Sequence, residues 1–191
     1  MQSSLAPGLL LAVPQLQDPN FSRAVVLMVE HDDNGSFGLI INHPIEVSAA
    51  ELLESLELPW NGDSDEVIWS GGPVQPNSGW ILHEPLASVP ADAQSVGAGG
   101  TMQVSPELSL STSPDTLRQL CESPPEKLRL LLGYSGWGPG QLASEMARGS
   151  WLHADLDLDI VFDTPADDMW ERAVRSLGIE PQTIVQGFGI H

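Results

Sequence analysis

Two nearly unbroken apolar runs, Ala24–Val29 and Phe37–Asn42, flank the polar segment DDNGS at 32–36. Asn-Gly between two short apolar runs is a strong local signal for a β-hairpin, because the turn needs backbone conformations that Gly and Asn adopt cheaply. A strand with one wet face alternates apolar and polar residues. These two do not, so both faces of the hairpin must be covered by other parts of the chain. A further short apolar run, Leu9–Val13, is stopped by Pro14.

The rest of the chain supplies the cover. Ser48 with Glu51 three residues on is a capping-box pattern, and Leu52, Leu53 and Leu56 give the helix that follows an apolar stripe. Glu66–Trp69 and Gly79–His83 read as strands. Met102–Val104 and Leu108–Leu110 read as a small hairpin across Ser105 and Pro106. Ser113 followed by Pro114 is a well-matched helix start. Leu128–Leu132 reads as a buried strand, Gly133–Trp137 as a glycine-rich loop, and about Pro139–Arg148 as a helix. Trp151–Phe162 reads as a strand whose aspartates line one solvated face. Pro165 opens a helix that Gly178 ends. Residues 86–100, rich in Ala, Ser and Gly, are the least structured stretch. No linker or internal repeat divides the 191 residues, so one domain spanning 1–191 is expected. The elements do not alternate regularly, which favours α+β over a doubly wound sheet.

Charge narrows the function classes. Seven basic residues face 26 acidic ones, a net charge of −19. That field repels nucleic-acid phosphates and anionic membrane surfaces, so direct nucleic-acid binding is disfavoured and no membrane association is expected. Cys121 stands alone, which excludes an internal disulfide and a multi-cysteine zinc site, and it reads as a packed thiol. With no signal-peptide pattern at the N-terminus, a reducing cytoplasm fits best.

Four constellations could carry chemistry. Gly133-Tyr134-Ser135-Gly136-Trp137 approaches a nucleophile elbow, but Trp137 fills the place that should be small, and only His153 and His191 follow. Gly138-Pro139-Gly140-Gln141-Leu142-Ala143 matches G-x-G-x-x-A, with Asp163 where a ribose-binding acid would stand at the end of the next strand. Five residues separate its first glycine from the expected strand, which weakens the match. Asp155, Asp157 and Asp159 lack the glycine of a calcium loop. Glu30, His31 and Asp32 could bind a metal if His83 came close, although a hydrogen-bonded structural role suits these histidines better. Against each stands the reading that Gly133, Gly136, Gly138 and Gly140 serve close backbone packing.

Five segments occur in an order that is specific as a set: AVPQLQDPNF (12–21), EHDDNGSFGLIINHP (30–44), GGPVQPNSGWILH (71–83), LGYSGWGPGQL (132–142) and IVFDTP (160–165). Together they resemble the YqgE/AlgH family of bacterial proteins over nearly the whole chain, most weakly at 86–112. The resemblance implies an α+β fold with a mixed, bifurcated sheet, a partly barrel-like core and helices outside. It implies no known reaction and carries over no catalytic residues, and a transcriptional-regulator label is attached to the family. The family pattern GYAGWGxGQL accepts alanine at the place of Ser135, which makes that serine a spacer. His43 departs from the pattern, standing where relatives show Lys.

The expected function is a non-enzymatic regulatory or binding module, with a protein or small-molecule partner and no cofactor. Its expected surface comprises Glu30, His31, Asn42, His43, Gly71, Gly72, Pro73, His83, Tyr134, Trp137 and Gln141. The alternative is a nucleotide-using or metal-assisted hydrolytic enzyme built on the Gly133–Gln141 loop.

Overall fold

The computed structural model describes residues 5–14, 16, 19–87 and 100–187, with backbone alone at Asn20 and 185–187. Most of the Ala/Ser/Gly-rich stretch, 88–99, and His191 lie outside the described residues. Ten strands and six α-helices are present among them, and the class is α+β. Contacts within the chain divide into two compact units: unit 1 holds residues 1–43, 71–74 and 134–191, and unit 2 holds 44–70 and 75–133.

In unit 1 the apolar runs become β1 (Gly8–Ala12), β2 (Val25–Asp32) and β3 (Gly35–Ile40). The hairpin closes on Asp33 and Asn34, and Asp32 Oδ1 accepts the Asn34 N–H at 2.7 Å. Both faces are covered, as the unbroken apolar runs require: Leu10, Val26, Met28 and Ile40 pack with Trp137, Leu142 and Trp151, while Leu9, Leu11, Leu27 and Leu39 are equally buried. β1 also pairs with β10 (Trp151–Ala154). Trp137 and Trp151 meet edge to face at 5.9 Å, and Phe21 meets Trp151 likewise at 5.5 Å.

Two expectations are corrected here. The first is the glycine-rich loop. β9 runs from Leu128 to Trp137, and its last residues pair with β3 as Ser36↔Trp137, Phe37↔Gly136 and Gly38↔Ser135. Glycine lowers strand propensity, but cross-strand hydrogen bonds and the burial of Ser135 and Trp137 outweigh it. The second is the acidic strand. β10 stops at Ala154, and α4 (Leu158–Asp163) follows, with the Asp157 side chain capping it by accepting the Asp159 N–H at 2.9 Å. Aspartate is poor in strands and strong at a helix N-cap, so the D-L-D spacing served the helix. α5 (Ala166–Ser176) then packs Trp170 inward, its Nε1–H donating to the Ala12 carbonyl at 2.8 Å.

Unit 2 begins with a strand the sequence did not announce, β4 (Pro44–Ser48), paired with β5 (Val67–Ser70). α1 (Ala49–Ser55) starts with the expected capping box: Ser48 Oγ accepts the Glu51 N–H and Glu51 accepts the Ser48 N–H, both at 3.2 Å. β5 pairs in parallel with the first part of β9, Ile68↔Leu130 through Ser70↔Leu132. β6 (Val74–His83) extends five residues earlier than its apolar pattern suggested, and it pairs with β8 (Leu108–Ser111), which pairs with β7 (Thr101–Ser105). α2 (Pro114–Glu122) opens on the Ser113 cap, with Oγ accepting the Thr116 N–H at 3.0 Å. Ala49, Leu53, Ile68, Ile81, Leu120 and Leu130 belong to the core of this unit.

Candidate functional site

In unit 1 most of the expected surface residues fall into two groups. The first surrounds the Gly71 carbonyl. That oxygen accepts the Ile40 N–H at 2.8 Å and the Ser135 hydroxyl at 3.2 Å. Gly72, at φ +150°, lies so close to Tyr134 that a Cβ there would overlap the Tyr134 carbonyl and the Ser135 hydroxyl. The Tyr134 ring in turn lies on Phe37, centroid to centroid 4.8 Å. His31 shares a hydrogen with Ser36 Oγ at 2.7 Å, and Glu30 is half-buried beside it on β2. Pro73 is exposed. The second group ties down residues 22–25. Asn42 accepts the Val25 N–H and donates to the Arg23 carbonyl, both at 2.9 Å. His43 Nε2–H donates to the Ser22 carbonyl at 3.2 Å, and burial lowers its pKa below the ordinary histidine value. Trp137 is buried, and Gln141 Oε1 accepts the Gly138 N–H at 3.0 Å.

These bonds bear directly on the enzyme readings. The Ser135 hydroxyl donates to the Gly71 carbonyl, and among the described residues no imidazole is bonded to it. β9 reaches Trp137, so the strand does lead straight into the G-x-G-x-x-A segment, contrary to the separation read from the sequence. A dinucleotide-binding unit needs a helix returning to a parallel neighbour, and here α3 (Gln141–Ala147) leads to β10, which pairs antiparallel to β1. The Gly138 N–H is already occupied by Gln141, and Asp163 closes α4 instead of a strand. Among the described residues no three His, Cys, Asp or Glu side chains converge as metal ligands.

His83 lies in unit 2 and is fully buried. Its Nδ1–H donates to the Glu84 carbonyl at 2.8 Å, which leaves Nε2 to accept from Ser111 Oγ at 2.7 Å; Ser111 and Thr101 share a hydrogen at 2.7 Å. Burial holds this imidazole below its ordinary pKa, with the Glu84 contacts opposing weakly. A serine and a histidine at bonding distance resemble half of a catalytic triad. Both side chains are shut away at 0% exposure, so the network is part of the core.

Unit 2 also holds a feature the sequence did not reveal, a half-open cavity of about 520 Å³. Its floor is the sheet: Ile68 on β5, Gly79 and Ile81 on β6, Leu130 and Leu132 on β9. Leu53 of α1, Leu56 at the C-cap of that helix and Leu117 of α2 wall it, and Leu56 is 54% exposed. Polar groups are few: Asn77, Thr112 and Arg118. Continuing the Ile81↔Ser111 register places Gly79 and Asn77 on the Thr112–Pro114 side. The opposite face of β5 and β9 is closed differently. The Arg129 guanidinium lies 5.5 Å from the Trp69 ring and 3.8 Å from Glu66, whose carboxyl burial nonetheless raises above its ordinary pKa. The sequence signal that could have indicated the cavity is Leu56, an apolar residue ending a stripe on a helix too short to bury it.

The chain is similar to an identifiable set of proteins. The AlgH-like family model, DUF179, matches residues 9–182. A UPF0301 protein of Myxococcus xanthus is 40% identical over 189 residues, covering 98% of this chain and 99% of that one. A UPF0301 protein of an Anaeromyxobacter species is 42% identical over 195 residues, covering 98% and 95%. Among solved structures, the solution structure of the AlgH protein from Pseudomonas aeruginosa superposes with a TM-score of 0.76 at 36% identity, covering 97% of each chain. A Corynebacterium diphtheriae protein at 21% identity and TM-score 0.68, covering 91% and 87%, shares the fold.

Proposed function

The chain belongs to the AlgH-like family, DUF179, and on that footing we propose that it is a non-enzymatic binding module whose ligand occupies the unit 2 cavity. The observation that carries this reading is the lining. The cavity has the size of a small-molecule pocket and offers hydrocarbon on nearly every side, with no carboxylate, imidazole, thiol or serine hydroxyl among its described lining residues. A pocket of this composition can bind and orient a ligand, but its one hydroxyl, that of Thr112, has no imidazole or carboxylate among the described lining residues to activate it. The unit 1 glycines support the same reading, since Gly72 serves close approach to the Tyr134 main chain and the Gly71 carbonyl takes up the Ser135 hydroxyl. Regulation of transcription, the role the family label names, would pass through a ligand-dependent protein contact, because the charge of −19 opposes a DNA backbone.

A thermal-shift panel of nucleotides, divalent cations and small amphiphiles tests this, with Gly79→Phe as the cavity-filling control. A cavity ligand at a hundred times its Kd adds about 2.7 kcal/mol, roughly 5–10 °C for a chain of this size. That shift should vanish in the Gly79→Phe variant. Stabilisation by a nucleotide or cation that the variant retains would overturn the reading in favour of the enzyme.

A further inference from the structure

We propose that the unit 2 cavity takes an acyl chain bearing a single carboxylate, with Arg118 holding the carboxylate; the inference rests on the reading that this cavity is the ligand site. The hydrocarbon part follows from the floor and walls, where Leu53, Ile68, Leu117, Leu130 and Leu132 offer no partner to the hydroxyls of a sugar or the edges of a base. At about 520 Å³ the space suits a chain of about a dozen carbons.

The anionic head follows from Arg118. It is the one charged side chain among the described lining residues. The chain has seven basic residues against 26 acids, and the other arginines are engaged. Arg23, Arg129 and Arg175 pair with glutamates, Arg172 donates to Thr164, and Arg148 donates to the Ser144 carbonyl. Among the described residues Arg118 makes neither an ion pair nor a hydrogen bond. An exposed guanidinium with no ion-pair partner among the described residues, lining an apolar cavity, is complementary to a carboxylate that arrives with its own hydrocarbon. Thr112 and Asn77 add hydrogen-bonding groups to the lining. The acid of α1 that begins the helix, Glu51, is engaged in the capping box and is not part of that lining.

The test is calorimetric titration of the full chain with dodecanoate and dodecyltrimethylammonium, each below its micelle concentration, and with dodecanol below its solubility limit. Dodecanoate should bind about fivefold tighter than dodecanol, the yield of one exposed ion pair worth about 1 kcal/mol. Arg118→Gln should bring dodecanoate down to the dodecanol value and leave dodecanol unchanged. Raising the salt to about 1 M should narrow the gap in the wild type. Gly79→Phe should abolish binding of both, because a side chain can be placed there without displacing its neighbours: nothing lies within 4 Å of the Cβ position. Leu56→Trp, at the exposed rim, provides a second blocking variant. Equal binding of dodecanol and dodecanoate, tighter binding of the ammonium, or no effect of Arg118→Gln would overturn the carboxylate assignment, while sensitivity to Gly79→Phe would keep the cavity as the ligand site. Binding of no probe in a manner sensitive to either blocking variant would overturn both.

Discussion

Gly72→Ala should be among the most damaging single-methyl additions available to unit 1. Two costs add. Gly72 holds φ +150°, a conformation that L-residues rarely adopt, and forcing alanine there costs about 1–3 kcal/mol. The new Cβ would also overlap the Tyr134 carbonyl, which is main chain paired in β9 and cannot rotate aside, adding about 1–3 kcal/mol of overpacking. The sum is about 4 kcal/mol, a large share of the roughly 5–15 kcal/mol that holds a domain folded. Two controls separate the terms. Gly140 has φ +74° and an open Cβ direction, so Gly140→Ala should cost about 1 kcal/mol from conformation alone. Gly79 also has open space, without a positive φ, so Gly79→Ala should be neutral or stabilising by about 0.5 kcal/mol. Urea unfolding by fluorescence resolves the series, since at an m-value of about 2 kcal/mol/M the Gly72 variant moves the midpoint down by about 2 M. If Gly72→Ala falls within about 1 kcal/mol of Gly140→Ala, the steric reasoning is refuted and only backbone conformation matters at that position.

Other outcomes follow from single contacts. Ser135→Ala should cost no more than about 1 kcal/mol in urea unfolding, because the Gly71 carbonyl keeps its bond from Ile40 after losing the hydroxyl; a loss of several kcal/mol would show that this hydroxyl does more. His83 has a folded-state pKa pushed below the ordinary 6.5, so the unfolded chain binds more protons between those two values and stability rises with pH across that window. Above pH 6.5 this residue contributes no slope; His83→Gln should flatten the rise seen below it, leaving the part due to His43. Cys121 is buried and its thiol is pushed up to about 11, leaving about one part in a thousand as thiolate at pH 8. It should react with an aromatic disulfide reagent only after denaturation, and rapid labelling of the native chain would contradict its packing.

What the sequence by itself determined was local. Ser48 with Glu51, and Ser113 with Pro114, mark two helix starts because a cap is made between side chain and backbone three residues apart. The DDNGS turn marks the hairpin for the same reason, and the unbroken apolar runs beside it require burial on both faces. The irregular order of the elements pointed to the α+β class, and the family resemblance added the expectation of a mixed, bifurcated sheet. Only tertiary structure decided the rest. Whether GYSGW is loop or strand depends on Ser36, Phe37 and Gly38, about a hundred residues away, whose backbone groups pair with it. Whether DLDLD is strand or helix start depends on where β10 stops pairing with β1, at Ala154 opposite Leu9; the Asp157 cap then forms locally. His83 was legible as a structural histidine, but its partner Ser111 lies 28 residues on, and only the β6–β8 register joins them. The cavity was illegible, because an apolar stripe shows which face of α1 turns inward and cannot show how closely the opposing α2 approaches. That spacing is set where side chains from five elements meet, and no short window of sequence contains them.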